Sequence, residues 1–455
     1  MPIDRRNLLA LSAVTASAPA AAMAMASPAI AAPLASLGVD ARNLGVRAGG
    51  GAEQTNMLQS AIDQTAGARV PLVLGPGEYR TGELKLPAGT QLVGVRGATR
   101  LVFTGGAGMI GARGANHITL SGLTIDGANK PLPNNGALVS LSLGRSIRII
   151  DCEIINSGGN GIALEGVEGS VSGTEIYNSA EAAIFSIDAR GLAIQNNTIR
   201  GAGNNGILVW TSSKADDGTL VLDNRIEDIA NKRGGSGQYG NAINVFRAGN
   251  VIVRGNRIAR AAFTAVRGNA ASNLQVVGNT ATDIGEVAIY SEFGFEGTVI
   301  SNNTIDRAAL GISVTNFNEG GRLAVVQGNL IRNLKSKRPA GTDPNDSAGV
   351  GIAVEADASV TGNVIENAPL CGIGLGWGQH LRDVSVVGNV VRNASVGVSV
   401  SVSTGAGTAV IAGNLIAGAT RGAIVGMDFA QAVTGDLTKE PARFANLQIS
   451  GNRVR

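Results

Sequence analysis

Asn244, Arg267 and Tyr290 follow one another at intervals of 23 residues, and Glu292 lies two positions beyond Tyr290. If the chain brings that interval into register, an amide, a guanidinium, a phenol and a carboxylate become neighbours. Such a set suits proton abstraction beside a carboxylate. Arg267 neutralises the acid and stabilises an enolate-like anion, Tyr290 relays the proton as base or acid, and Asn244 helps hold the carboxylate. The corresponding reaction is β-elimination or C5-epimerisation of a uronate-containing polysaccharide. Trp210 and Phe246 offer flat faces for sugar rings, and Asn269, Lys214 and Glu355 are further candidates for substrate contact. Lys214 or Lys232 could replace Arg267 in the neutralising role. A second chemistry is hydrolysis by Glu292 and Glu355, two repeats or about 9.6 Å apart, close to the roughly 6.5–9.5 Å of an inverting pair. A third reading is a solenoid that binds carbohydrate or serves as structure, without catalysis.

Any of these requires a backbone that stacks residues some two dozen positions apart. Val253-Arg254-Gly255-Asn256-Arg257-Ile258 then Ala265-Val266, and Val276-Val277-Gly278-Asn279-Thr280-Ala281 then Ala288-Ile289, repeat one pattern. Its turn residue falls at Leu123, Cys152, Thr174, Asn197, Asn224, Asn256, Asn279, Asn303, Asn329, Asn363, Asn389, Asn414 and Asn452, spaced 22 to 38 residues apart. Short apolar strands, Gly/Asn turns and this period define a solenoid whose unit cannot bury its apolar side alone. Leucine-rich repeats would need regular leucines that are absent. The Asn column is structural: Asn tolerates left-handed turns, and stacked amides can hydrogen-bond from coil to coil.

This coil pattern resembles the right-handed parallel β-helix of the pectin-lyase-like superfamily, which includes pectate lyases, polygalacturonases and alginate C5-epimerases. The resemblance implies an all-β, single-stranded, right-handed parallel β-helix. The segment from Asp40-Ala41 through Leu58-Gln59-Ser60-Ala61-Ile62 to Gly77-Glu78-Tyr79 resembles the N-terminal cap and first coil of exported and phage-borne β-helix proteins. Asp4-Arg5-Arg6-Asn7-Leu8-Leu9, an apolar run and Ala29-Ile30-Ala31 resemble a twin-arginine export signal. The closest likeness is to twin-arginine-translocated repeat proteins of that superfamily, implying a periplasmic or secreted location. The family's catalytic motifs do not carry over. No Asn-Thr-Asp, Asp-Asp or Gly-His-Gly set stands where a polygalacturonase has one, and no Asp-Pro-His-Asp run where an epimerase has one.

Within G/A-I-x-V, Ile and the second aliphatic are expected to face the core and the alternate positions solvent. The outward slots are then Leu208 and Trp210, Asn244 and Phe246, Arg267 and Asn269, Tyr290 and Glu292, Ser313 and Thr315, Ala353 and Glu355. Insertions at 231–239 and 335–347 precede this strand, and those at 211–217, 293–296, 316–319 and 377–380 follow it. They predict a walled groove with the strand as floor.

The expected organisation is a signal over 1–32, a cap with a short helix over 33–70, coils over 71–426, and a C-terminal cap or loop with a last half-coil over 427–455. The helix, begun by Thr55 or Asn56 as cap residue, should cover the open apolar end. Aromatics make up 3% and charged residues 16%, with 65 glycines, as suits tight coils with small aliphatic interiors. A net charge of +3 without a Lys/Arg tract argues against nucleic acid. No apolar stretch beyond the signal is long enough to span a membrane. Cys152 and Cys371 fall eight coils apart, on the order of 40 Å, so two free, buried thiols are expected. His117 is read as structural. No cofactor motif is present. Calcium ligands could come from Asp216-Asp217 or Asp343 with Asp346, but without a recognisable ligand spacing.

Overall fold

The computed structural model describes residues 38–49, 51–133, 136–343 and 345–455. The export signal expected over 1–32 lies outside the described residues.

Each regular coil contributes three short parallel strands. Ile252–Arg254 leads into the Asn256 turn, Arg257–Ala261 follows, and Val266–Asn269 closes the coil before Leu274–Val277 opens the next. First strands stack into a sixteen-stranded sheet. Second and third strands form two further runs, joined only late in the solenoid where Val364–Leu375 and Val390–Ser401 each pass through both without interruption. The core is the stack of inward aliphatics, such as Ile207, Ile243, Val266, Ile289, Ile312 and Ile352 in the third strands, all buried and paired in register. A single repeat has no core of its own; burial comes from the coils above and below.

The Asn column is a continuous hydrogen-bonded ladder. In each step the backbone N and Nδ2 of one Asn donate to Oδ1 of the next, from Asn197 through Asn224, Asn256, Asn279, Asn303, Asn329, Asn363, Asn389 and Asn414 to Asn452, at 2.9–3.0 Å. The left-handed residue is not the ladder Asn but the one before it, for example Gly255, Gly278 or Asn302 at φ 68, 67 and 58°. That twist turns the following amide inward, where the ladder saturates it.

At the N-terminal end, helix Thr55–Ala68 buries Leu58, Ala61 and Ile62 against the first strands. Neither Thr55 nor Asn56 caps it. Gln54 holds the cap position, with its side chain bonded to the Arg47 backbone, while Thr55 Oγ1 bonds to Glu53 and accepts from Gly82 N. At the other end, Gly422–Asp428 pairs antiparallel with Gln431–Asp436, and Leu437 tucks into the core. An antiparallel strand cannot continue the coil, so this hairpin closes the third-strand run. Cys152 and Cys371 are both free and buried.

Candidate functional site

The outward column of the third strands is aligned as the spacing predicts. Leu208 pairs with Asn244, Asn244 with Arg267, Arg267 with Tyr290, Tyr290 with Ser313 and Ser313 with Ala353. Beside it run Trp210, Phe246, Asn269 and Glu292. Exposure differs from expectation: Asn244, Arg267 and Glu292 retain only 4, 8 and 2% of their accessible surface. These side chains do leave the barrel, but the loop around Gly237 lies against Arg267. A Cβ on Gly237 would sit 3.7 Å from Arg267 Nη2. From the other loop, Arg338 reaches down to the buried Glu286 at 2.9 Å, with Asp346 beside it at 3.2 Å. The segment after Trp210 is a strand extension to Asp216 rather than a free loop.

Under this roof is a compact charged cluster. Glu292 Oε1 accepts from Arg267 Nε at 2.6 Å, from Arg267 Nη2 at 2.5 Å and from Asn269 Nδ2 at 3.0 Å. Arg267 also stacks over the Tyr290 ring, 5.0 Å from its centroid, while its Nη1 makes no hydrogen bond among the described residues. Burial, reinforced by Glu292, pushes the Tyr290 phenol up to about 12, and Thr315 Oγ1 lies 3.4 Å from its oxygen. The ring therefore holds its proton across the neutral range. Burial also raises the Glu286 carboxyl, although Arg338 and Arg267 oppose the shift.

Asn244 is one coil before Arg267, its amide without a hydrogen bond among the described residues and its Oδ1 buried. Trp210 and Phe246 pack at 5.4 Å between centroids, with Phe185 at 5.4 Å on the other side of Trp210. Two candidates lie apart from the cluster. Lys214 donates to the Gly294 carbonyl and ties the loops of the trailing edge. Glu355 accepts from Phe317 N at 2.6 Å, its carboxyl raised by burial, with Phe317 packed on His380. Among the described residues no three His, Cys, Asp or Glu side chains converge as metal ligands.

Phe185, Glu181, Glu286 and Arg338 escaped the sequence reading. Phe185 was within reach, since it stands 23 residues before Leu208 in the same column. Glu286 shares a column with Glu181, Asn204, Gly240, Phe263 and Ala309, so a carboxylate recurring at Glu181 and Glu286 in one column was the available signal. Arg338 sits in a loop outside the repeat and gave none.

These coils place the chain in the right-handed β-helix family, whose model, described as "Right handed beta helix region", matches residues 100–226 and 216–391. The chain belongs to that family, with a pectin-lyase-like parallel β-helix fold. No curated protein matches it. Among solved structures, the N-terminal fragment of bacteriophage Phi29 gene product 12 is 17% identical at TM-score 0.59, over 93% of this chain and 71% of that one. The catalytic unit of a thermostable GH87 α-1,3-glucanase from Streptomyces thermodiastaticus is also 17% identical, at TM-score 0.51, over 91% and 68%. PfbA, a surface adhesin of Streptococcus pneumoniae, is 12% identical at TM-score 0.51, over 82% and 91%. Among the described residues no helix is long and apolar enough to cross a membrane.

Proposed function

We propose that this protein binds an extended polysaccharide along the third-strand face and acts on a uronate residue at the Arg267 cluster by β-elimination or C5-epimerisation. The observation that carries this reading is the junction of Arg267, Tyr290 and Glu292 on two adjacent coils beside the loop around Gly237. The sugar carboxylate takes the uncommitted Nη1 edge of Arg267 and competes with Glu292 for the guanidinium. Released Glu292 accepts the C5 proton, and Arg267 and Asn244 stabilise the resulting anion. In elimination the C4–O4 bond then breaks and the Tyr290 phenol protonates the leaving oxygen. In epimerisation Tyr290 returns a proton to the opposite face of C5 and the bond survives. The glucanase of similar fold is consistent with a carbohydrate-active role for the scaffold. Twin-arginine export to the periplasm or beyond fits such a substrate.

A second reading, a carbohydrate-binding solenoid without catalysis, is favoured by one fact: Arg267 already has a partner inside the chain. Inverting hydrolysis by Glu292 and Glu355 draws support from the raised Glu355 carboxyl alone. One screen separates the three. The mature protein is incubated with alginate, pectate, hyaluronan and neutral glycans while unsaturated-uronate absorbance, C5 configuration and reducing ends are followed. Elimination gives absorbance that falls about 100-fold or more in Arg267→Ala and Tyr290→Phe. Reducing ends without absorbance, lost in Glu355→Gln, would establish hydrolysis instead. Retention with no product would leave the binding role.

A further inference from the structure

The third-strand face contains a cavity of about 170 Å³, two coils before Arg267, that the chemistry above does not use. Its walls are Phe185, Leu208, Trp210 and Tyr239. Phe185 and Trp210 meet edge to face and form an apolar corner. Glu181 and Arg233 close the rim and satisfy each other through two N–H donors at 2.9 and 2.7 Å. Asn204 Nδ2 also donates to Glu181 at 2.6 Å, and Asn204 Oδ1 accepts from the Arg233 backbone. Among the described residues the cation that lines this cavity, Arg233, is thus already paired. Among the described residues the Trp210 indole N–H is buried without an acceptor, and Asn244, whose Oδ1 has no donor, lies between this cavity and Arg267.

We propose that this cavity is a subsite for one uncharged pyranose ring. The polymer accepted by this face then carries a neutral sugar roughly 10 Å along the chain from the uronate presented to Arg267, the distance of two strand spacings. A pyranose supplies C–H faces for the Phe185–Trp210 corner and a hydroxyl oxygen for the indole N–H. A second uronate there would bring its charge beside the Glu181 carboxylate, whose Arg233 partner is already engaged. The spacing to an acidic residue rests on the function proposed above; the neutral occupancy of the cavity does not.

The chain has two tryptophans, so Trp377→Phe leaves Trp210 as the single indole reporter. This protein is titrated with glucose-, mannose- and galactose-based tetrasaccharides and with tetramers of galacturonate and mannuronate, following indole emission. At least one neutral tetrasaccharide is expected to shift the emission, with affinity reduced about tenfold in Phe185→Ala and in Tyr239→Ala and unchanged in Lys439→Ala, an exposed position near the C-terminal hairpin. Phe185→Ala alters the cavity wall, whereas Tyr239→Ala lies on a loop, so agreement between them excludes misfolding as the cause. A shift with oligouronates alone, or with no neutral probe, would overturn the assignment. Neutral binding in a protein without eliminase or epimerase activity would uphold the subsite while removing the uronate reaction, so the two ideas fail separately.

Discussion

Two stacked columns contrast in this solenoid: the asparagine ladder from Asn197 to Asn452, and the third-strand face where Asn244, Arg267, Tyr290 and Ser313 follow coil on coil. In the asparagine ladder the same residue recurs and each amide is saturated: Asn303 Oδ1 accepts twice from Asn279, while its own Nδ2 donates to the Val276 carbonyl and to Asn329. On the third-strand face the residue changes at every coil, from Leu208 to Asn244, Arg267, Tyr290 and Ser313. Bonding capacity is left over at Trp210, Asn244 and Arg267. Repetition with full satisfaction serves the fold. Variation with unsatisfied buried groups costs stability and makes sense where a ligand completes the bonds.

The contrast breaks most directly in the ladder. Asn303→Ala orphans an N–H and an amide on Asn279 and a carbonyl on Val276, so a loss of about 3 kcal/mol or more is expected from denaturant unfolding. A loss below about 1 kcal/mol would mean that the ladder is dispensable. Glu292→Ala leaves the Arg267 guanidinium buried and unpaired, with an expected cost of about 3–5 kcal/mol. Replacing both Arg267 and Glu292 by methionine should restore most of that loss while abolishing activity, because a buried pair is poor evidence of a stabilising one. If the double variant stays as unstable as the single, the pair is structural after all.

Glu286 sharpens the comparison through pH. Burial raises its carboxyl above the ordinary 4.5, so the folded state holds that proton more tightly than the unfolded chain. Its stabilising contribution is therefore present below pH 4.5 and is lost as pH rises through the folded-state value. The stability of the parent relative to Glu286→Gln should fall between pH 4 and pH 7 in urea titrations. A rise would mean that the Arg338 pairing outweighs burial. The smallest effect belongs to Asn244→Ala, which removes an amide without a partner and should change stability by less than about 1 kcal/mol.

Much of this architecture was readable from residue order. Val-x-Gly-Asn-x-Ile fixes where a coil turns, and intervals of 23 residues place Asn244, Arg267 and Tyr290 side by side because each added coil without an insertion advances the register by one repeat. Burial was not readable, since it depends on how the loops around Gly237 and Arg338 fold back, and loops carry no period. For the same reason Arg267 was expected to face solvent, whereas it lies under a roof and holds Glu292. Cap chemistry at Gln54 was missed because Thr55 and Asn56 are better intrinsic cap formers, and a tertiary bond to Arg47 overrides that preference.

The division between ladder and groove is tested most directly by one paired measurement on Asn244→Ala: its unfolding midpoint, and its retention on the polysaccharide that the parent protein binds. An unchanged midpoint with at least tenfold weaker retention is the predicted result. A lowered midpoint with undiminished retention would contradict it and make the third-strand face another structural column.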